Sequence, residues 1–130
     1  MKHFFLVTVA LIAALTFSST AIAAKKKAGG KLRHVVSIKF KEGTKPEEIK
    51  KVIDAFAALK TKIPQVDKLE WGQNISPEKH DRGHTHVFQL TFRSEKDRDE
   101  YLVHPDHKAF GALLGPVMAD VFVVDFWARD

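Results

Sequence analysis

Tyr101 and His107 are the residues of this chain best suited to acid–base chemistry. Tyr101 is the one tyrosine of the sequence and precedes His107 by six residues, with Pro105 between them. A proline inside a helical run breaks it and re-aims the side chains on either side. A neutral imidazole is a competent general base near pH 7. A phenol hydroxyl can orient a carbonyl or stabilise developing oxyanion charge. The same residues also suit a plain packing role, with the Tyr101 ring in a helix–sheet core and His107 capping backbone groups beside Pro105. A second set of imidazoles is His80, His84 and His86, and His104 with His107 forms an H-x-x-H. On a strand His84 and His86 point the same way, and H-x-H can supply two metal ligands. With no cysteine and no HExxH beside them, the sequence is read with no metal and no cofactor. It also carries no nucleophile elbow, phosphate loop, dinucleotide fingerprint or EF-hand.

These side chains need elements to hold them. Leu32 to Lys41 (LRHVVSIKFK) alternates with period two, setting Leu32, His34, Val36, Ile38 and Phe40 on one face, which predicts a strand. Gly43 breaks it. Thr44 is the expected N-cap of the first helix, with Pro46 in its first turn and Glu47 completing a capping box. Ile49, Val52, Ile53, Phe56, Leu59 and Ile63 then form one apolar helical stripe, which Pro64 ends. Val66 to Asn74 reads as a second strand and His84 to Arg93 as a third, with the polar loop Ser76 to Gly83 between them. On the third strand His84, His86, Phe88, Leu90 and Phe92 share a face. Ser94 caps the next helix, and Pro105 divides that region into Glu95–Val103 and Asp106–Leu114. Val121 to Trp127 is the last strand.

The order β-α-β-β-α-β predicts an α+β, ferredoxin-like domain, a four-stranded antiparallel sheet with helices on one face. The last strand is apolar on both sides, which a sheet with one wet face would not be. A second copy packed face to face is the simplest cover in so small a domain, giving a homodimeric α/β barrel.

The stretch from His34 to Trp127 resembles the stress-responsive A/B barrel (Dabb) domain family. The resemblance is carried by Arg33 to Lys41, Ile63-Pro64, Trp71-Gly72, Thr85-His86-Val87 through Thr91-Phe92, and above all Tyr101-Leu102-Val103-His104-Pro105-Asp106-His107 with Phe110 behind it. The family is described as a ferredoxin-like domain that dimerises into a closed barrel. It includes plant stress-induced proteins, some relatives that build larger oligomers, and one well-understood enzyme type, the plant olivetolic acid cyclase. That enzyme closes a polyketide by intramolecular aldol condensation. The resemblance implies His107 as the base that abstracts a proton α to a carbonyl and Tyr101 as the group that binds a carbonyl. It sets His34 and His86 at positions similar to pocket histidines, and Phe56 where the cyclase has a pocket tyrosine. Phe88 and Phe110 complete the implied lining. The ligand so implied is small, and apolar or carbonyl-containing.

The N-terminus is a different kind of sequence. A basic Met1-Lys2-His3, an apolar run from Phe4 to Phe17 and the small-residue site Ala21-Ile22-Ala23 make residues 1–23 a cleavable signal peptide. The run is about 14 residues, short of the roughly 20 of a membrane span. The protein is therefore expected to be secreted or periplasmic, with no stable membrane insertion after cleavage. Residues 24–31 read as a basic flexible arm and 32–130 as the domain. The chain of 130 residues carries a formal net charge of +5. Of its 21 basic residues, six lie at or before Arg33, so from His34 onward 15 face 16 acidic ones. The domain is nearly neutral, and no nucleic-acid partner is expected of it.

Overall fold

The computed structural model describes residues 30–129; the expected signal peptide and most of the basic arm lie outside the described residues. Strand β1 (Leu32–Phe40) runs into helix α1 (Pro46–Lys62), strands β2 (Lys68–Gln73) and β3 (His86–Phe92), helices α2 (Glu95–Val103) and α3 (Pro105–Leu114), a 3₁₀ turn (Gly115–Val117) and strand β4 (Met118–Trp127). The sheet order is β2-β3-β1-β4 and every neighbouring pair is antiparallel. This is the ferredoxin-like topology that the order of elements predicted.

The alternation in β1 does what period two requires. Leu32, His34, Val36 and Ile38 are buried under the helices, while Arg33, Val35, Ser37 and Lys39 face the other way. The register carries the same division across the sheet, pairing Val36 with Phe88 and Phe88 with Trp71. Onto that face α1 lowers Val52, Phe56 and Leu59, and Ile63 and Val66 close the core where the chain leaves the helix. Trp71 stays half exposed because β2 is an edge strand.

Local corrections follow from the caps. Lys45, not Thr44, is the N-cap of α1, with Pro46 at the first helical position. Glu48 reaches back to accept from the Lys45 backbone N–H at 3.1 Å, and the Thr44 hydroxyl instead donates to the Lys41 carbonyl. Gly43, at φ +78°, supplies the left-handed turn before it. The third strand begins at His86, because His84 and Thr85 belong to the loop that closes back from β2. His84 and His86 therefore do not form a two-ligand strand face. The last strand begins at Met118, three residues earlier than its apolar run suggested. A bulge beyond Lys39 lets the β1–β4 ladder continue to Phe40 and Met118. Among the described residues no helix is long and apolar enough to cross a membrane.

The free face of the sheet is mixed, with Arg33, Ser37, Gln89 and Thr91 beside Val35 and Val87. On β4 it presents Phe122 at 57%, Val124 at 41% and Phe126 at 46% exposure, far above what core positions leave open. Val121 and Val123, on the helix side, are also exposed, because β4 is the other edge strand.

The aromatic stack at the centre is the most sensitive packing unit. Phe56 lies 3.9 Å from Phe88 in a stacked arrangement and 4.6 Å from Phe110. Phe56→Ala is expected to cost about 3–5 kcal/mol in urea unfolding at pH 7, whereas Ile75→Ala, at an exposed loop position, should fall within about 0.5 kcal/mol of the parent.

Candidate functional site

The junction between α2 and α3 sets up the site. His104 ends α2 and its ring nitrogen Nδ1 accepts from the Asp106 N–H at 3.2 Å, capping α3, while Pro105 occupies the first position of the new helix. The break leaves Tyr101 in the last turn of α2 and His107 in the first turn of α3. Their rings meet at 4.4 Å between centroids. The His34 ring, from the middle of the sheet, meets Tyr101 edge-on at 5.8 Å, and Phe92 lies 5.2 Å from Tyr101. Tyr101 is 1% exposed and His34 4%. Among the described residues no hydrogen bond engages the Tyr101 hydroxyl.

Each imidazole is tied through Nδ1. His107 Nδ1–H donates to the Leu102 carbonyl at 3.1 Å. His34 Nδ1–H donates to Asp125 Oδ1 at 2.6 Å. His86 Nδ1 bonds the Thr85 hydroxyl at 2.8 Å, and its buried Nε2 has no hydrogen-bond partner. These bonds assign the tautomers of His107 and His34, leaving Nε2 as the basic nitrogen of both. Burial lowers the pKa of His107 below the usual imidazole value, with the Leu102 bond opposing the shift and His34 adding to it. Burial also lowers that of His86 and pushes the Tyr101 hydroxyl well above the usual phenol value. A neutral imidazole therefore stands against a phenol that keeps its proton.

Of the seven expected site residues, three converge: Tyr101, His107 and His34. Phe56, Phe88 and Phe110 form the aromatic stack beside them. His86 stands apart, on β3 opposite Ile38, with its ring 5.4 Å from Phe40. None of the seven lines the cleft of about 550 Å³ that opens on the free face of the sheet.

Two residues complete the cluster that the sequence reading did not single out. Asp125 sits directly across from His34 in the β1–β4 register. Arg98, on α2, donates from Nη1 to Asp125 Oδ2 at 2.7 Å, so the carboxylate bridges guanidinium and imidazole. Burial works to raise the Asp125 pKa, but the bonds from Arg98 and His34 outweigh it and hold the carboxyl below its usual range. The bond to Asp125 likewise raises Arg98. The available signal was Asp125 itself, an acidic residue interrupting the apolar run VFVVDFW on its core-facing side. Because the folded pKa is the lower one, Asp125 contributes stability above the unfolded carboxyl value of about 3.9, and loses it as pH falls through the folded pKa. Asp125→Asn should therefore be less stable than the parent at pH 7, and the gap should narrow as urea titrations move down from about pH 4.

With fold and geometry in hand, comparison with known proteins is direct. Stress-response A/B barrel domain-containing protein HS1 of Arabidopsis thaliana is 34% identical over 101 residues, 78% of this chain and 93% of that protein. Olivetolic acid cyclase of Cannabis sativa is 24% identical over 98 residues, 75% of this chain and 97% of the cyclase. The crystal structure of Arabidopsis thaliana At3g17210 superposes with a TM-score of 0.72 at 32% identity, covering 76% of this chain and 96% of that one. A dimeric protein of ferredoxin-like fold and unknown function from Bacteroides fragilis gives a TM-score of 0.62 at 26% identity, covering 75% and 96%. The family model of the stress responsive A/B barrel domain matches residues 32–128, nearly the whole described region. The chain belongs to the stress responsive A/B barrel domain family.

Proposed function

We propose that this is an exported, homodimeric A/B barrel protein whose Tyr101–His107–His34 cluster binds a small carbonyl compound and moves a proton on it. The observation that carries the reading is the contact of Tyr101 with both imidazoles, each fixed through Nδ1. The Tyr101 hydroxyl donates to the carbonyl oxygen. His107 Nε2 takes the proton from the adjacent carbon, leaving an enolate held by Tyr101 and an imidazolium at His107. Return of that proton to carbon or to oxygen completes the turnover, with no other reactant. The relative named olivetolic acid cyclase supports a reaction on a carbonyl substrate. Phe56, stacked in the core on Phe88, favours a substrate different from that enzyme's.

The dimer rests on the exposed Phe122, Val124 and Phe126 of the free face, an apolar row on the sheet surface opposite the helices. Protein from Bacteroides fragilis described as dimeric supports it. Export rests on the signal-peptide pattern of residues 1–23. One measurement reads both. Native mass spectrometry of protein recovered from the exported fraction should give twice the mass of residues 24–130. A monomer at micromolar concentration would remove the dimer, and a retained N-terminus would remove the export reading.

The chemistry is tested with a simple ketone. Deuterium exchange at the carbons flanking the carbonyl of 2-pentanone, followed by NMR in D₂O, should be faster with the parent than with His107→Ala or Tyr101→Phe. The expected loss is on the order of 10²-fold, with melting temperatures nearly unchanged. Because burial lowers His107, the parent's rate should hold below the ordinary imidazole pKa of about 6.5 before it falls with acid. Equal rates in parent and variants would overturn the reading.

A further inference from the structure

The cluster around Tyr101 holds more hydrogen-bonding capacity than a simple ketone can use. It lies on the helix side of the sheet, away from the face left to the second copy. Among the described residues the fully buried side-chain atoms without a hydrogen-bond partner are Gln65 Oε1, His84 Nδ1 and His86 Nε2. The Tyr101 hydroxyl, His107 Nε2 and His34 Nε2 have no partner either, yet they are not fully buried. Each therefore keeps a path to solvent, although the Tyr101 and His34 side chains that carry two of them are otherwise covered. Both imidazole rings meet the Tyr101 ring, at 4.4 and 5.8 Å, so a molecule a few atoms long can span all three polar atoms.

The three atoms differ in polarity. The phenol keeps its proton and is the donor. His107 Nδ1–H is spent on the Leu102 carbonyl, so its Nε2 is an acceptor. His34 Nδ1–H is spent on Asp125 at 2.6 Å, so its Nε2 is a second acceptor. Arg98 fixes that assignment. A guanidinium has donors only, and its bond to Asp125 Oδ2 at 2.7 Å keeps the carboxylate ionised and its other oxygen turned to the ring. Asp99 engages the same guanidinium at 2.9 Å, so the charge of Arg98 is already balanced by two carboxylates. A simple ketone answers Tyr101 through its oxygen and His107 through the adjacent C–H, and leaves His34 Nε2 unanswered. A hydroxyl on the carbon beside the carbonyl answers it.

We propose that the ligand of this site is an uncharged α-hydroxy ketone or α-hydroxy aldehyde. Tyr101 donates to its carbonyl oxygen, His107 Nε2 faces its acidic C–H, and His34 Nε2 accepts from its hydroxyl. Asp125 and Arg98 are positioning residues, which act on the ligand only through His34. The assignment rests on the reading of Tyr101 and His107 as the carbonyl-binding and proton-accepting pair, and adds to it the hydroxyl and the absence of charge.

Protein isolated from its producing cells is titrated with 2-pentanone, 3-hydroxy-2-pentanone and 2-oxopentanoate at pH 7, and the side-chain resonances of Tyr101, His34 and His107 are followed by NMR. The hydroxy ketone should bind about two- to tenfold more tightly than 2-pentanone, the span of one net hydrogen bond, and the charged 2-oxopentanoate more weakly than either. In Asp125→Asn, Arg98 holds the amide oxygen and turns the NH₂ toward His34, whose Nδ1 must then accept and whose proton moves to Nε2. The nitrogen resonances of the His34 ring should report that change of tautomer, and the preference for the hydroxyl should vanish. His34→Phe keeps a ring against Tyr101 but removes the acceptor, and should abolish the preference too. Binding of none of the three, equal affinity of the parent for the two ketones, tighter binding of 2-oxopentanoate, or a preference that survives in either variant would overturn the proposal. Equal affinity together with deuterium exchange that depends on His107 would sink the hydroxyl and leave the proton-transfer reading standing. A hydroxyl preference without exchange would do the reverse.

Discussion

The ladder between β1 and β4 puts His34 opposite Asp125, and most of the chemistry available to this molecule descends from that pairing. An imidazole buried to 4% exposure needs its polar atoms answered. Asp125 answers one nitrogen, Arg98 answers Asp125, and the remaining ring edge is left to Tyr101. A one-residue slip in this register would send Asp125 to the opposite face of the sheet and strand His34 in the core. Removing one partner of a buried hydrogen bond strands the polar atom left behind, which costs more than never having had the pair. The relay therefore ties the edge strand and helix α2 to the central strand.

The same logic explains the division of labour between α2 and α3. A continuous helix from Glu95 to Leu114 would place residues six apart, such as Tyr101 and His107, on divergent faces. His104 and Pro105 stop one helix and start the next within two residues, and the rings come to 4.4 Å. His107 then answers its own Nδ1 at the Leu102 carbonyl, a group at the end of α2 that has no helical partner to serve. The break that costs helical hydrogen bonds is thus repaid locally by the side chain it repositions.

How much of this was legible in the sequence depended on whether the signal was local. Periodicity in β1, the stripe of α1 and the break at Pro105 are short-range patterns, and they located those elements and the Tyr101–His107 pair. Thr44 and His84 were misread because the rules that decide a cap or a strand end turn on one hydrogen bond. Glu48 chose Lys45 as the cap, and the loop's bond from Thr85 to Ile38 took His84 out of the strand. Arg98 was illegible for a different reason. On α2 it looks like any solvated helical arginine, and only its meeting with a residue 27 positions away gives it a role.

Strand β4 carries just two carboxylates, and each is matched to a histidine: Asp125 to His34 and Asp120 to His84. They are five residues apart, an odd number, so they project from opposite faces of the sheet, roughly 17 Å from each other along the strand. The two pairs live in different surroundings. His34 and Asp125 are largely covered, so their interaction is strong and its partners are fixed. Asp120 is mostly exposed, and a pair of that kind adds little to stability. Its persistence at the mouth of a cleft, beside an imidazole nitrogen that nothing engages, is better understood as holding a ring in place than as holding the fold together. One edge strand thereby orients an imidazole on each side of the sheet, His34 toward Tyr101 and His84 against Asp120.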